Sequence, residues 1–362
     1  MGRPRLRAAA RLRRPSRGAA SARQAEAAAT RLRRAASSSP PDPSGRTYLE
    51  LASISVVTRD DYRNRLLDFV LWCASLNLTW NDAASLDQIL VTWLNVLFFR
   101  GLAAAEGSKM VAAIKFAMPE FSRRGELNLP RSMRAVTSWA KKAPARQRLP
   151  LPRCLVCLIA AYLAQKGRLA MGLCIIVSFA CYLRPKEAIT LTVGQLIPPS
   201  AAAGPGYRYW GLLLHPAECL VPGKVGLFDE AVLIDSERWL YPFLELLTQR
   251  PPATPLWPFS RRELVDSFRI AWTDLQLSPL NPSLYGLRHG GASEDLLHRL
   301  RTPEAVKRRG RWASDESLKR YGKETRLLSE LAKLPADVLS KARVANESIA
   351  ELLLGNKTLP LP

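Results

Sequence analysis

Tyr285-Gly-Leu-Arg288-His289-Gly-Gly-Ala-Ser293, then Gly310-Arg311-Trp312, then Lys319-Arg320-Tyr321-Gly-Lys323: these three short runs set one tyrosine among fixed cations and an indole. A guanidinium presents a planar fork of donors that matches two oxygens of a phosphate, and a phenol is a nucleophile that a positive field activates. Upstream, Leu183-Arg184-Pro185-Lys186-Glu187 supplies a second arginine at the start of another helix, because proline suits a first helical turn. Two arginines, an indole and a tyrosine read as chemistry on a phosphodiester.

In this order and spacing the residues resemble those of the tyrosine recombinases, the phage-type integrases. The likeness covers roughly Tyr48 to Arg326. Arg184 and Glu187 match the pattern Leu-Arg-x-x-Glu of the first family arginine. Arg288, His289 and the small residues Ala292-Ser293 match the second arginine motif, with Tyr285 standing where a histidine is usual. Trp312 occupies the His/Trp place nine residues before the nucleophile position, Tyr321.

The resemblance implies a fold and a mechanism. The expected fold class is mainly α with a small antiparallel β-sheet, an α+β catalytic domain joined to a helical SAM-like core-binding domain as a two-domain clamp on DNA. The expected boundaries are a disordered tail over 1–46, the helical domain over 47–142, a linker over 143–152, the catalytic domain over 153–332 and a helical C-terminal tail over 333–362. Arg184, Lys224, Tyr285, Arg288, Trp312 and Tyr321 would be catalytic, with Glu187 orienting Arg184 and His289 in support. Arg184 and Arg288 would grip the phosphate oxygens, Trp312 would donate its indole N–H or wall the pocket, and Lys224 would protonate the leaving 5′ oxygen. Tyr285 would still donate to a phosphate oxygen, with activity reduced by the missing histidine. Built-in cations make a metal unnecessary, and a covalent 3′-phosphotyrosyl link conserves the bond energy, so no cofactor or ATP is expected.

Composition agrees with a polyanionic partner. The chain has 362 residues and a formal charge of +22. Residues 1–46 hold twelve arginines and no lysine against Glu26 and Asp42, and the remainder is still basic. Nine of the basic residues fall between Phe121 and Arg153 against the single acid Glu126, and ten between Arg299 and Arg326 against four acids. Arg123, Arg124, Arg131, Arg134, Lys141, Lys142, Arg146, Arg148, Arg309 and Arg311 are therefore the expected contacts to duplex DNA, although a charge run alone is more often a solvated face. By family resemblance the working form is a homo-oligomer, a synaptic tetramer on DNA, with the C-terminal tail lent to a neighbouring subunit.

Other classes recede. The longest apolar run, Leu169 to Leu183, is 15 residues, short of the roughly 20 that span a bilayer, so no membrane contact is expected. Cys154 and Cys157 have metal-ligand spacing but lack a second pair, and the six cysteines with no secretion signal predict a reduced intracellular protein. Residues 1–46 have the composition of a nuclear basic arm, an organellar transit peptide and a DNA-binding tail alike; nuclear is the favoured location.

Apolar spacing predicts helices over 53–76, 86–100, 108–116 and 132–142, two buried helices between Arg153 and Arg184, and strands over 207–215 and 229–235 joined by the turn Pro222-Gly-Lys224-Val-Gly226. Thr302-Pro303-Glu304 starts a helix that Gly310 stops, Ser314 caps the one carrying Tyr321, and amphipathic helices fill 327–354. His215 and His298 read as structural or solvent-facing, since neither has a placed partner. Two rival functions share these residues: a domesticated protein that binds DNA without cutting it, and a nicking-closing enzyme of the topoisomerase IB type.

Overall fold

The computed structural model describes Glu26, Thr30 and residues 45–144, 149–219, 223, 227–280, 283–315 and 324–361. Among these, residues 45–144 belong to one compact unit and residues 149–361 to another. The chain is mainly helical with one small antiparallel sheet, an α+β composition. Lys224, Tyr321, Arg146 and Arg148 lie outside the described residues. No described helix is long and apolar enough to cross a membrane.

The first unit is built from α1 (Tyr48–Ala52), α2 (Val56–Ser75), α3 (Ala83–Phe99), α4 (Ala104–Ala117) and α5 (Pro130–Lys142). Two starts are legible as side-chain caps: Ser55 caps α2 by accepting from Thr58 N at 3.2 Å, and Asp82 caps α3 by accepting from Ser85 N at 2.7 Å. Phe69, Leu90, Trp93, Ile114 and Trp139 close its core. The N-terminus of α5 is held from outside the helix. The buried Asp87 carboxylate accepts from Arg131 N at 2.8 Å and from Ser132 N and Oγ at 2.9 and 2.6 Å. A carboxylate at that end both satisfies orphan donors and opposes the helix dipole. Asp87→Ala is expected to destabilise this unit by about 2 kcal/mol, since it strips a charged acceptor from buried donors. Chemical denaturation monitored by tryptophan fluorescence checks this.

In the second unit α6 (Arg153–Gln165) is the central helix, with every residue from Leu155 to Leu163 buried. It packs on α7 (Leu169–Ala180), buried from Met171 to its end. Gly172 makes that approach possible, because a Cβ there would stand 2.7 Å from the Ala160 carbonyl oxygen. The short α8 (Pro185–Thr190) follows, then β1 (Leu196–Ile197), β2 (Trp210–Leu214) and β3 (Glu230–Ile234) in an antiparallel sheet of order β1-β2-β3. Its register pairs Leu196 with Leu212 and Leu214 with Glu230, and β2 buries Trp210, Leu212 and Leu214. Next come α9 (Tyr241–Thr248), α10 (Arg261–Asp274), α11 (Tyr285–Leu297), α12 (Pro303–Gly310), α13 (Glu324–Leu331), α14 (Ala336–Glu347) and α15 (Ile349–Leu354). The apolar faces of α14 and α15 pack on α6 of the same chain through Val338, Ala342, Ala345 and Leu352. These helices thus cover the chain's own core.

Candidate active site

Two helix ends carry the site. Helix α7 ends in a paired-turn geometry in which Tyr182 N donates to Phe179 O at 3.3 Å and Leu183 N to Ser178 O at 3.0 Å. That geometry puts Tyr182 in the left-handed region, at φ 48°, where glycine is the usual residue. Helix α12 ends the same way: Arg311 N donates to Arg308 O at 3.0 Å and Trp312 N to Lys307 O at 3.1 Å, with Arg311 at φ 54°. Gly310 was expected to be the stop, yet it is the last helical residue and Arg311 takes the left-handed turn. Gly310 is glycine for another reason. A Cβ there would lie 2.2 Å from the Trp312 ring, which folds back over the helix end.

Between these two ends sits Arg288, only 1% exposed. Its Nη1 donates to the Tyr182 carbonyl and its Nη2 to the Gly310 carbonyl, and its Cζ lies 5.0 Å over the Trp312 ring. Arg288 Nε is buried and has no hydrogen-bond partner among the described residues. Burial, with Arg311 and Arg184 nearby, pushes this guanidinium down to about 10. It remains charged at neutral pH. Helix α11 comes close enough to α7 because of paired glycines: a Cβ on Gly291 would be 2.1 Å from Phe179 O, and one on Gly290 2.1 Å from Leu151 O. Trp312 also stacks near Tyr182, with centroids 6.3 Å apart, while the Tyr182 hydroxyl donates to Asp295.

Arg184 is held by Glu187, as the sequence suggested. Glu187 Oε2 accepts from Arg184 N at 2.8 Å, and its Oε1 accepts from Arg184 Nη1. The same carboxylate also receives Arg311 Nη2 at 2.5 Å. The guanidinium of Arg311 faces Glu230 of β3 as well, with Nε 3.6 Å from Oε2, and reaches the Tyr182 carbonyl at 3.5 Å. Despite its burial, Glu187 titrates below the usual carboxylate range, because the nearby guanidiniums and the Arg184 N–H favour the charged form. His215 closes the group, its Nε2 3.8 Å from Glu187 Oε1.

Glu187, His215 and Glu230 offer ligand atoms within 4.8 Å of one another, a spacing that a metal ion would suit. Here guanidiniums already serve as the cations. Both Glu187 oxygens accept from arginine, and Arg311 stands against Glu230. The donor set therefore fits an arginine network better than a divalent ion, which Arg184, Arg288 and Arg311 would repel.

The remaining sequence candidates divide. Tyr285 and His289 are half-buried on the first turns of α11, with ring centroids 5.0 Å apart. Arg123, Arg124, Arg131, Arg134, Lys141 and Lys142 are all exposed, on α5 or in the segment preceding it. Arg309 and Arg311, expected on a DNA-facing surface, are turned inward: Arg309 donates to Ala180 O at 2.6 and 2.9 Å and pairs with Asp235 at 3.2 Å. The reason is that α12 ends against α7, whose terminal carbonyls need donors. Sequence reasoning missed Tyr182, His215 and Glu230. Nothing in their local patterns marks them, although Glu230 is the one acid in the otherwise apolar strand Glu-Ala-Val-Leu-Ile.

No family model and no curated protein matches the chain. Among solved structures it is similar to the XerA recombinase, at 13% identity and a TM-score of 0.31, over 81% of this chain and 93% of that one. So loose a superposition carries no argument, and the functional reading below rests on the site itself.

Proposed function

We propose that the chain is a DNA strand-transfer enzyme of the tyrosine-recombinase kind, which cuts and rejoins duplex DNA through a 3′-phosphotyrosyl intermediate. The observation that carries this reading is the convergence of Arg184, Arg288 and Trp312, from three separate elements, on one buried cationic cluster. The guanidiniums of Arg184, Arg288 and Arg311 outnumber the carboxylates of Glu187 and Glu230 that face them, and since an excess of buried positive charge destabilises a fold, it is best explained by an anion the cluster is built to receive.

In the proposed step the Tyr321 phenolic oxygen forms a bond to phosphorus as the bond from phosphorus to the 5′ oxygen breaks. The phenol proton passes to solvent, and the Lys224 ammonium gives a proton to the departing 5′ oxygen. Arg184 and Arg288 stabilise the charge on the non-bridging oxygens. Reversal by a 5′ hydroxyl of another strand completes the exchange, as a mobile-element integrase or resolvase requires. The helical unit would grip the duplex through the exposed face formed by Arg131, Arg134, Lys141 and Lys142 with Arg123 and Arg124, closing a two-domain clamp. A homo-oligomer on DNA and a nuclear site of action complete the reading.

Two features favour a second reading, a DNA-binding protein that does not cut. Tyr285 replaces the usual histidine, and both terminal nitrogens of Arg288 are engaged by main-chain carbonyls. A pool of nicked suicide duplexes, incubated without metal or ATP and run on a denaturing gel, separates the two. A covalent protein–DNA band is expected. Salt-sensitive retention of DNA on a native gel with no covalent band favours the second reading.

A further inference from the structure

We infer that Arg311 is a positioning residue: its guanidinium bridges Glu187, the partner of Arg184, to Glu230 on the sheet, and so fixes where Arg184 meets a phosphate. This rests on the strand-transfer reading above.

Three independent features converge on Arg311. First, it occupies a left-handed turn at φ 54°, where glycine is free of strain and a long side chain is not. Second, the side chain is 5% exposed, so it contributes nothing to a solvated basic surface, and both acids it faces are themselves at least nine-tenths buried. Third, it shares its carboxylate with Arg184: Glu187 Oε2 accepts from Arg184 N and from Arg311 Nη2 together.

That sharing has a chemical consequence. Glu187 alone would neutralise Arg184 and draw its guanidinium inward. With Arg311 drawing on the same carboxylate from the other side, Glu187 is locked in one rotamer and Arg184 retains charge for an external anion. Counting Arg184, Arg288 and Arg311 against Glu187 and Glu230, the cluster keeps one net positive charge, suited to a phosphodiester. Removing Arg311 takes that charge to zero. The bridge to Glu230 adds registry, because it ties α8 to the first residue of β3. Gly223 lies against the same group, since a Cβ there would be 3.1 Å from Glu230 Oε2 and 3.2 Å from His215 Cδ2.

The test separates positioning from charge balance. Arg311→Ala alone leaves the buried Glu230 carboxylate without its guanidinium, takes one of two from Glu187, and risks unfolding. The double variant Arg311→Gly/Glu230→Gln instead removes one charge of each sign and places glycine in the turn that favours it. Its melting midpoint is expected at or above that of the wild type and its duplex affinity within a few-fold, while the rate of covalent adduct formation falls about 100-fold, the scale of a misplaced catalytic group. Arg311→Lys keeps the charge without the fork. It is expected to fold normally and to cleave about 10-fold more slowly, and it decides the matter should the double variant not fold. A folded variant of either kind cleaving at the wild-type rate overturns the inference and leaves strand transfer intact. A wild-type protein that forms no adduct overturns strand transfer itself.

Discussion

Arg288→Met is expected to lower covalent adduct formation by about 1000-fold, on the scale of losing a preorganised donor at the reacting phosphate, while changing stability by less than about 2 kcal/mol. The two halves of this expectation come from opposing effects. Losing the guanidinium deprives the Tyr182 and Gly310 carbonyls of donors, at about 1–3 kcal/mol for each buried acceptor left unmet. Against that, a cation pushed down by burial and by two neighbouring arginines no longer has to be buried. Replacing a buried charge with a well-packed apolar side chain of similar volume is often neutral or stabilising. Methionine also keeps contact with the Trp312 ring through its thioether. Arg288 is thus a group that the fold keeps at little net benefit to itself, as a reactive centre would require. Thermal melting alongside single-turnover trapping on suicide DNA reads both halves. A strong loss of stability with cleavage unimpaired would mean that Arg288 only braces the two helix ends.

The second large effect is on folding. Gly291→Ala is expected to destabilise the second unit by at least about 3 kcal/mol, at or beyond the upper end of ordinary overpacking. The added methyl would meet Phe179 O at 2.1 Å and the Tyr182 ring at 2.8 Å. A main-chain carbonyl cannot swing aside as a flexible side chain does, so α11 must retreat from α7 by roughly an ångström to restore van der Waals contact. Arg288 rides on α11 while its acceptor, the Tyr182 carbonyl, terminates α7. The same retreat therefore spoils the site. Urea denaturation should show a lower midpoint with an unchanged slope, and any fraction that folds should cleave about 100-fold more slowly. Wild-type stability in this variant would mean that the two helices do not pack as described.

Much of the helical framework was legible in the residues. Periodicity located α2 through α5 to within a few residues, because each buries an aromatic or aliphatic stripe and α2, α3 and α5 also begin at a side-chain cap or a proline. Strands β2 and β3 were legible as short, largely apolar runs. The two-residue β1 was not, since so short a strand has no period of its own. Helices α9 and α10 carried no motif and drew no expectation. At the site, the Arg184–Glu187 pair was legible because both residues share one helix start and local geometry brings them together. Arg311 was expected among the DNA contacts, with no sign in the residues that its side chain is buried. Its inward turn depends on Glu187 and Glu230, brought to it only by tertiary packing, and on a left-handed turn that the preceding glycine seemed to claim. Tyr182 drew no expectation, and His215 was read as structural or solvent-facing, for a related reason: their roles lie in a main-chain carbonyl and in a neighbourhood, and a side-chain pattern encodes neither.

The central claim is that these arginines serve one tyrosine, and the direct measurement is to find where DNA becomes attached. Protein trapped on suicide duplex should be digested with nuclease and trypsin, and the nucleotide-bearing peptide identified by mass spectrometry. The account predicts a phosphotyrosyl nucleotide on the tryptic fragment Tyr321-Gly-Lys323, and its complete loss in Tyr321→Phe. Attachment at another residue, Tyr285 included, or an undiminished adduct in Tyr321→Phe, would contradict it.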